Sequence, residues 1–346
     1  MAEPATTIPK GSWVLVTGAN GFVASHVARE FLERGYKVRG TVRDLEKSSW
    51  LVQDVFKSYA DDGRFELVLV PDLAADNAFD DAVKGMSAIV HVASVTSLAP
   101  DPNQVVPQTV AGATSILHAA LKEPMVKAFV FTSSVNAATM FVPGNSTHVE
   151  RDTWNEEVLK LAWAPPPYDP TRGMIVYAAS KTEAEMAVWK FAAETKPHFS
   201  VNSISPTSIM GEPLNRKHLE TPYSYLKLIY DGNMAFLAAM PAFIHIDVKD
   251  CALLHVAAAL DPEINNARLQ AWADYGNWND VLAILQKLYP QRTFANSLPT
   301  PITPLTMTSD FSQPLALLKK WGHQDGWTSL EETVADNMKN IVNWYP

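Results

Sequence analysis

Residues 12–34 set the first constraint on the fold. An apolar, valine-rich run (12–17) is followed by a turn holding Gly18 and Gly21, then by residues 24–34 with apolar positions at helical spacing and Gly35 as a stop. A short run without alternation suits a strand buried on both faces, and such a strand needs helices to cover it. The pattern repeats. Residues 37–42, 65–70, 88–93 and 128–132 read as further strands, 110–121 as a helix, and 199–204 as a sixth strand after a helix that starts near Ile175. Strands alternating with helices imply a parallel sheet with right-handed crossovers. The expected fold class is therefore α/β, a doubly wound parallel sheet with a smaller C-terminal lobe. From Pro206 onward the spacing loosens into prolines and aromatics, which puts the domain boundary between 205 and 206; residues 252–260 read as a helix, and 244–262 are expected to pack back on the sheet.

Composition removes several classes of function. The 346 residues are enough for a large core with an appended lobe, and 47% hydrophobic with 19% charged residues suits a soluble globular protein. A net charge of −9 without a basic patch argues against nucleic-acid or anionic-membrane partners. Cys251 is the only cysteine, so no disulfide forms within the chain and a reducing, cytoplasmic setting is expected. The stretch MAEPATTIPK has no long apolar run, so no signal peptide is expected, and no run of about 18 apolar residues suggests a membrane span. The nine histidines include no pair at i,i+4 and no cluster with carboxylates, so no metal site is expected. His26, His91 and His255 fall in apolar stretches and read as core or cleft residues.

The turn Thr17-Gly18-Ala19-Asn20-Gly21-Phe22-Val23-Ala24 joins the first strand to the first helix. Glycines there let the backbone bend tightly and a pyrophosphate approach, and the helix start offers free N–H groups. A glycine pair is a weak signal alone; its place between strand and helix points to a dinucleotide. On that reading residues 1–205 are the dinucleotide-binding domain and 206–346 a smaller substrate-binding lobe. The second strand is expected to end near the adenosine ribose, where an NAD site usually carries an acid. Here Arg39 and Arg43 precede the first acid, Asp44, and Lys47 follows. Guanidinium groups suit a 2′-phosphate, which favours NADP. Two alternatives stay open: both arginines as ordinary surface cations, and Asp44 aimed at the ribose.

Carbonyl reduction by hydride needs a proton donor at the developing alkoxide. A tyrosine becomes competent when an ammonium four residues later on a helix shares its face. Tyr177–Lys181 has this spacing, and so does Tyr223–Lys227. Position decides between them. Tyr177 opens the helix between the fifth and sixth strands, beside the Ser133-Ser134 pair that ends the fifth, and the cofactor crevice lies at such strand ends. Tyr223 falls beyond the parallel sheet.

With these pieces in chain order, the sequence resembles the extended short-chain dehydrogenase/reductases, in their dihydroflavonol-reductase-like branch. It is most similar to the NADPH-dependent carbonyl (aldehyde) reductases of yeasts and other fungi. The segments VLVTGANGFVASH, GYKVRGTVRD, FVFTSSV, VYAASKTEAE and KPHFSVNSISP carry the resemblance. It implies NADPH as cofactor and a small-molecule carbonyl as substrate. Tyr177 would be the proton donor, Lys181 would lower its pKa and bind the nicotinamide ribose, and Ser134 would orient the carbonyl, with Ser133 as fallback. The turn (Thr17, Gly18, Asn20, Gly21, Phe22 and Val23) and Thr132 would bind cofactor, with Arg39, Arg43 and Lys47 near the 2′-phosphate. Asp72 and Leu73 would lie near adenine, Ala93 along the cleft, and Pro206 near the carboxamide. Two departures are Ala24 for the usual third glycine and Ser205 for a frequent asparagine. Oligomeric state is left open, a monomer being compatible. Trp154, Trp163, residues 165–168, Tyr223, Tyr225, Met234, Phe236 and Phe243 read either as walls of an apolar substrate pocket or as loop and core. Two other functions remain: a sugar-nucleotide epimerase or dehydratase, and a non-catalytic NADP-binding redox sensor.

Overall fold

The structure, a computed structural model, describes residues 4–221 and 223–345. Its strands are β1 (Trp13–Val16), β2 (Lys37–Val42), β3 (Phe65–Leu69), β4 (Ala88–His91), β5 (Ala128–Thr132), β6 (His148–Val149), β7 (Ser200–Pro206), β8 (Ser208–Met210), β9 (Ala242–Asp247), β10 (Arg268–Ala271), β11 (Tyr275–Asn277) and β12 (Thr308–Ser309). Its helices are α1 (Phe22–Glu33), α2 (Lys57–Asp61), α3 (Val106–Lys122), α4 (Glu156–Ala162), α5 (Gly173–Thr195), α6 (Tyr225–Tyr230), α7 (Ala235–Ala239), α8 (Val248–Leu260), α9 (Trp278–Leu288), α10 (Ser312–Gly322) and α11 (Leu330–Trp344).

The seven-stranded sheet runs β10-β7-β5-β4-β1-β2-β3, with parallel pairing from β7 through β3. The order reverses at β1, beside β4, which makes that edge the place where a parallel sheet of this kind opens a crevice. β4 and β5 are buried along their whole length, as strands covered on both faces must be. One core layer fills the space between sheet and helices with Leu15, Ile89, Ile116, Phe129, Phe131 and Val188. Helix α5 has no single polar stripe: Ser180, Lys181, Thr182 and Glu185 are buried along with its alanines and valines.

The chain divides into two compact units. The first comprises 1–140, 151–205 and 252–269; the second comprises 141–150, 206–251 and 270–346. A change of unit thus falls between 205 and 206, while the returning segment is 252–269 and residues 141–150 join the second unit. The second unit has a β11-β9-β8 sheet and a small β12-β6 pair. Phe243, Trp278, Leu285, Met338 and Ile341 make its core. Both α9 and α11 begin with reciprocal caps, Asn277 with Asp280 and Ser329 with Glu332, which satisfy otherwise orphaned N–H groups.

Candidate active site

The strand β1 ends at Val16, and the next residue, Thr17, is fully buried. Its Oγ1 accepts the N–H groups of Val92 (3.0 Å) and Ala93 (2.9 Å), which tie the first glycine turn to the end of β4. With both lone pairs used, the hydroxyl hydrogen goes to His91 Nδ1 at 3.0 Å. His91 is therefore neutral with its proton on Nε2. It stacks with Phe129 and Phe131, and burial pushes its pKa down to about 3.

Gly18 sits at φ +67°, and a Cβ there would come within 3.2 Å of the Ala93 Cβ. The turn is anchored on β2: Gly18 N–H donates to Thr41 Oγ1 and Ala19 N–H to the Thr41 carbonyl. Strand β2 passes so close beneath the turn that a Cβ on Gly40 would lie 2.6 Å from that of Ala19. Asn20 and Gly21 are exposed at the crest, Phe22 and Val23 are half-buried, and no side chain caps α1. The first N–H groups of that helix thus face outward without intrahelical acceptors.

The cations after the turn separate into different roles. Arg39 lies opposite Glu66 in the β2–β3 register; its Nε donates to that carboxylate at 2.6 Å, and Nη1 to the carbonyls of Ala82 and Lys84. It is bound to the segment leading into β4 and is not brought to the turn with Arg43. Arg43 is exposed and, among the described residues, makes no hydrogen bond or ion pair. Lys47 is exposed, 3.6 Å from Asp44. Asp44 closes its own turn by accepting the Lys47 N–H at 3.0 Å, a bond that holds its carboxyl below the usual range. Asp72 is exposed and accepts the Ala74 N–H; Leu73 packs on α3 where Gly112 leaves room, a Cβ there falling 1.8 Å from Leu73 Cδ1.

At the end of β5 the two serines point to different tasks. Ser133 donates to Glu185 Oε2 at 2.8 Å. Ser134 Oγ accepts the Asn136 N–H at 3.2 Å and caps the 3-10 turn Val135–Ala137, which packs on α5. Capping uses a lone pair and leaves the Ser134 hydroxyl hydrogen for another acceptor. Tyr177 is half-buried on the second turn of α5. Lys181, one turn further along, is buried; its Nζ donates to the Thr132 carbonyl at 3.1 Å and lies 5.7 Å from the centre of the Phe131 ring. Desolvation pushes the Lys181 pKa down to about 8, against a raising influence from Glu185. Thr132 is committed on both sides, its hydroxyl lying 2.8 Å from His255 Nε2 on α8. Pro206 is buried at the end of β7.

The model of the NAD dependent epimerase/dehydratase family matches residues 14–264. The chain belongs to this family. It is 39% identical over 332 residues to aldehyde reductase 2 of Sporidiobolus salmonicolor, covering 95% of this chain and 96% of that one. It is 37% identical over 335 residues to the NAD-dependent epimerase/dehydratase terH of Aspergillus terreus, covering 96% and 98%. The yeast methylglyoxal/isovaleraldehyde reductase Gre2, solved in complex with NADPH, shares the fold, with a TM-score of 0.77 at 24% identity over 96% of this chain and 98% of that one.

In this epimerase/dehydratase-family chain the second Tyr–Lys pair has another use. Lys227 is ion-paired with Asp231 at 2.6 Å and lies 4.2 Å from the ring centre of Tyr345. Most of the aromatics read as possible pocket walls are also engaged. Trp154 lies against the Arg268 guanidinium at 4.0 Å, and Trp163 Nε1 donates to Glu183. Tyr168 lies against Arg172, which collects the carbonyls of Leu161, Ala162 and Ala164 at the end of α4. Tyr225 stacks on Phe236, and with Phe243 and Met234 they belong to the second unit's core. The sequence reading missed Gly40, Thr41, Glu185 and Arg268. Gly40 had a visible signal, a glycine inside a strand pattern, which marks close backbone approach. Among the described residues no three His, Cys, Asp or Glu side chains gather as metal ligands, and no helix is long and apolar enough to cross a membrane.

Proposed function

We propose that this chain is an NADPH-dependent reductase that converts an aldehyde or ketone to the alcohol, with Tyr177 as proton donor, Lys181 as the cation that makes it competent, and Ser134 as hydrogen-bond donor to the carbonyl oxygen. The observation that carries the reading is the Lys181 ammonium: buried, pinned to the Thr132 carbonyl at the end of β5, and one helical turn from Tyr177. A lysine so placed gives up hydration, which a purely structural position has little reason to demand.

The dinucleotide fits what the residues offer. The crest, exposed at Asn20 and Gly21, opens the uncapped start of α1 with no Cβ at Gly18 or Gly21, and suits a pyrophosphate. Unpaired Arg43, with Lys47 beside it, suits a 2′-phosphate, and Asp44 is occupied by its own turn. Ala93 forms the wall against Gly18, and Leu73 with exposed Asp72 is assigned to the adenine. Arg39 takes no part. Bound NADPH supplies the hydride. Ser134 Oγ–H holds the carbonyl oxygen in place, and Tyr177 Oη–H gives its proton to that oxygen as negative charge develops there. The Lys181 ammonium favours the tyrosinate left behind, and a pKa of about 8 keeps it mostly charged at neutral pH. Ser133 stays on Glu185.

The names of the relatives at 34–39% identity, aldehyde reductase and ketoreductase among them, support this reading. The test is oxidation of NADPH with a panel of aromatic aldehydes, α-keto esters and β-keto esters, repeated with NADH. Rapid oxidation of NADPH and little of NADH is expected. NADPH that binds but is oxidised by no member of the panel would count against it and favour a sensor or a narrower natural substrate.

A further inference from the structure

Glu185 is fully buried at the third step of the series Tyr177, Lys181, Glu185 on α5. Its Oε1 accepts Arg268 Nε (3.0 Å) and the Ser203 hydroxyl (2.7 Å), and its Oε2 accepts Arg268 Nη2 (2.9 Å) and the Ser133 hydroxyl (2.8 Å). Arg268, equally inaccessible, gives its Nη1 to the carbonyls of Arg151 (2.9 Å) and Thr153 (2.6 Å). The chain from Thr153 leads to Asn155, whose backbone N–H and Nδ2 donate to the carbonyls of Ala137 and Asn136 in the turn that Ser134 caps. One carboxylate thus joins β5, β7, β10 and α5, and through its partner fixes the turn behind Ser134.

Burying an ion pair is weak evidence for stability, because desolvation offsets most of the attraction and apolar replacements often do as well. Its position next to two reacting groups asks for another explanation. We propose that Glu185, held by Arg268, is a positioning residue of the reductase site, one that occupies Ser133 so that Ser134 alone is presented and that supplies the countercharge to Lys181. The role rests on the reduction reading above. The ionisable groups facing Lys181 are few. On α5 itself they are Tyr177 and Glu185; His91 on β4 is neutral; His255 on α8 lies against the hydroxyl of Thr132, whose carbonyl holds the ammonium; Arg268 on β10 stands behind Glu185; and His118 on α3 lies further along against Phe191. Glu185 is the charge that favours the ammonium, and Arg268 limits its strength.

The test is the pH dependence of kcat for carbonyl reduction, with NADPH affinity measured by fluorescence. For Glu185→Gln the alkaline limb is expected to move down by about one pH unit, with kcat at least about tenfold lower. NADPH affinity should stay within about twofold, since the phosphate-binding turn is untouched. A scaffold role alone would lower kcat or stability and leave the limb in place. If Glu185→Gln does not fold, Glu185→Leu with Arg268→Met removes both charges without leaving one unpaired, and a smaller displacement of the same sign is expected. An unmoved limb in a folded charge variant overturns the proposal. A wild-type chain without turnover removes the reduction reading instead, and the two failures are distinct.

Discussion

Replacing Arg43 by alanine isolates the side chain proposed to separate NADPH from NADH. In the free protein the Arg43 guanidinium makes no ion pair or hydrogen bond among the described residues, so nothing has to be broken before it binds a phosphate and nothing is left unpaired when it is removed. A hydrogen bond to a charged group contributes about 1.5–3 kcal/mol. Arg43 is exposed, and solvent and salt screen an exposed pair, which places the loss at the lower end, about 1.5–2 kcal/mol. The dissociation constant for NADPH should then rise about ten- to thirtyfold in Arg43→Ala, and that for NADH, which has no 2′-phosphate, should stay within about twofold. Lys47→Ala should cost less, about threefold, because that side chain is 82% exposed and drawn toward Asp44. Fluorescence titration of both cofactors at low and moderate salt measures all of this. The difference between wild type and Arg43→Ala should shrink as salt rises. Equal losses for NADPH and NADH, or no loss for either, would refute the 2′-phosphate assignment and return the choice of cofactor to Asp44.

Three further outcomes follow from the same geometry. Tyr177→Phe should lower kcat by at least about a hundredfold with NADPH affinity unchanged, measured by steady-state turnover beside fluorescence binding; a variant that keeps most of its activity removes Tyr177 as proton donor. Gly40→Ala should destabilise the fold by about 1–3 kcal/mol and weaken NADPH, because the methyl would meet Ala19 beneath the glycine turn; thermal melts and cofactor titration at wild-type values would show that β2 can yield there. Lys181 has a folded pKa of about 8 against an ordinary 10.5, so the unfolded chain binds more protons between those values and stability should rise with pH across that window. Below about pH 8 the whole penalty is present, about 3 kcal/mol by the size of the depression, so Lys181→Met should abolish turnover while raising the melting temperature at neutral pH. A lower melting temperature would show that the bond to the Thr132 carbonyl outweighs the desolvation.

The sequence made the sheet visible because its strands are short, apolar and separated by helix-length intervals. Strands β2 and β5 cover the segments 37–42 and 128–132 that read as strands, and position relative to β5 was enough to prefer Tyr177 over Tyr223. What stayed hidden depends on pairings distant in sequence. Arg39 belongs to Glu66 through the register of two strands 27 residues apart, and no local pattern distinguishes it from Arg43. Glu185 and Arg268 are 83 residues apart, and β10 carries only four residues. The aromatics of the second unit form ring contacts in a core assembled from α6, α7, β9 and α9, short elements whose spacing had no clear period.

Helix α5 shows why a candidate site of this kind escapes a hydrophobic-periodicity reading. The helix is covered on several sides, so its chemistry lies among buried positions rather than on a polar stripe. Moving from Tyr177 to Lys181 to Glu185, each residue is less exposed than the one before and each one's charge has to be met by the next. In the proposed reaction the tyrosine acts beside a cation; the cation, once buried, is met by a countercharge, and the countercharge by a guanidinium bonded to both of its oxygens. The sequence of requirements ends at Arg268, whose remaining N–H groups go to two backbone carbonyls and whose face lies against Trp154. Removing any member should therefore be felt on the side toward Tyr177 as a change in proton chemistry, and on the side toward Trp154 as a change in stability. Measuring kcat against pH and melting temperature on the same variants separates those two directions.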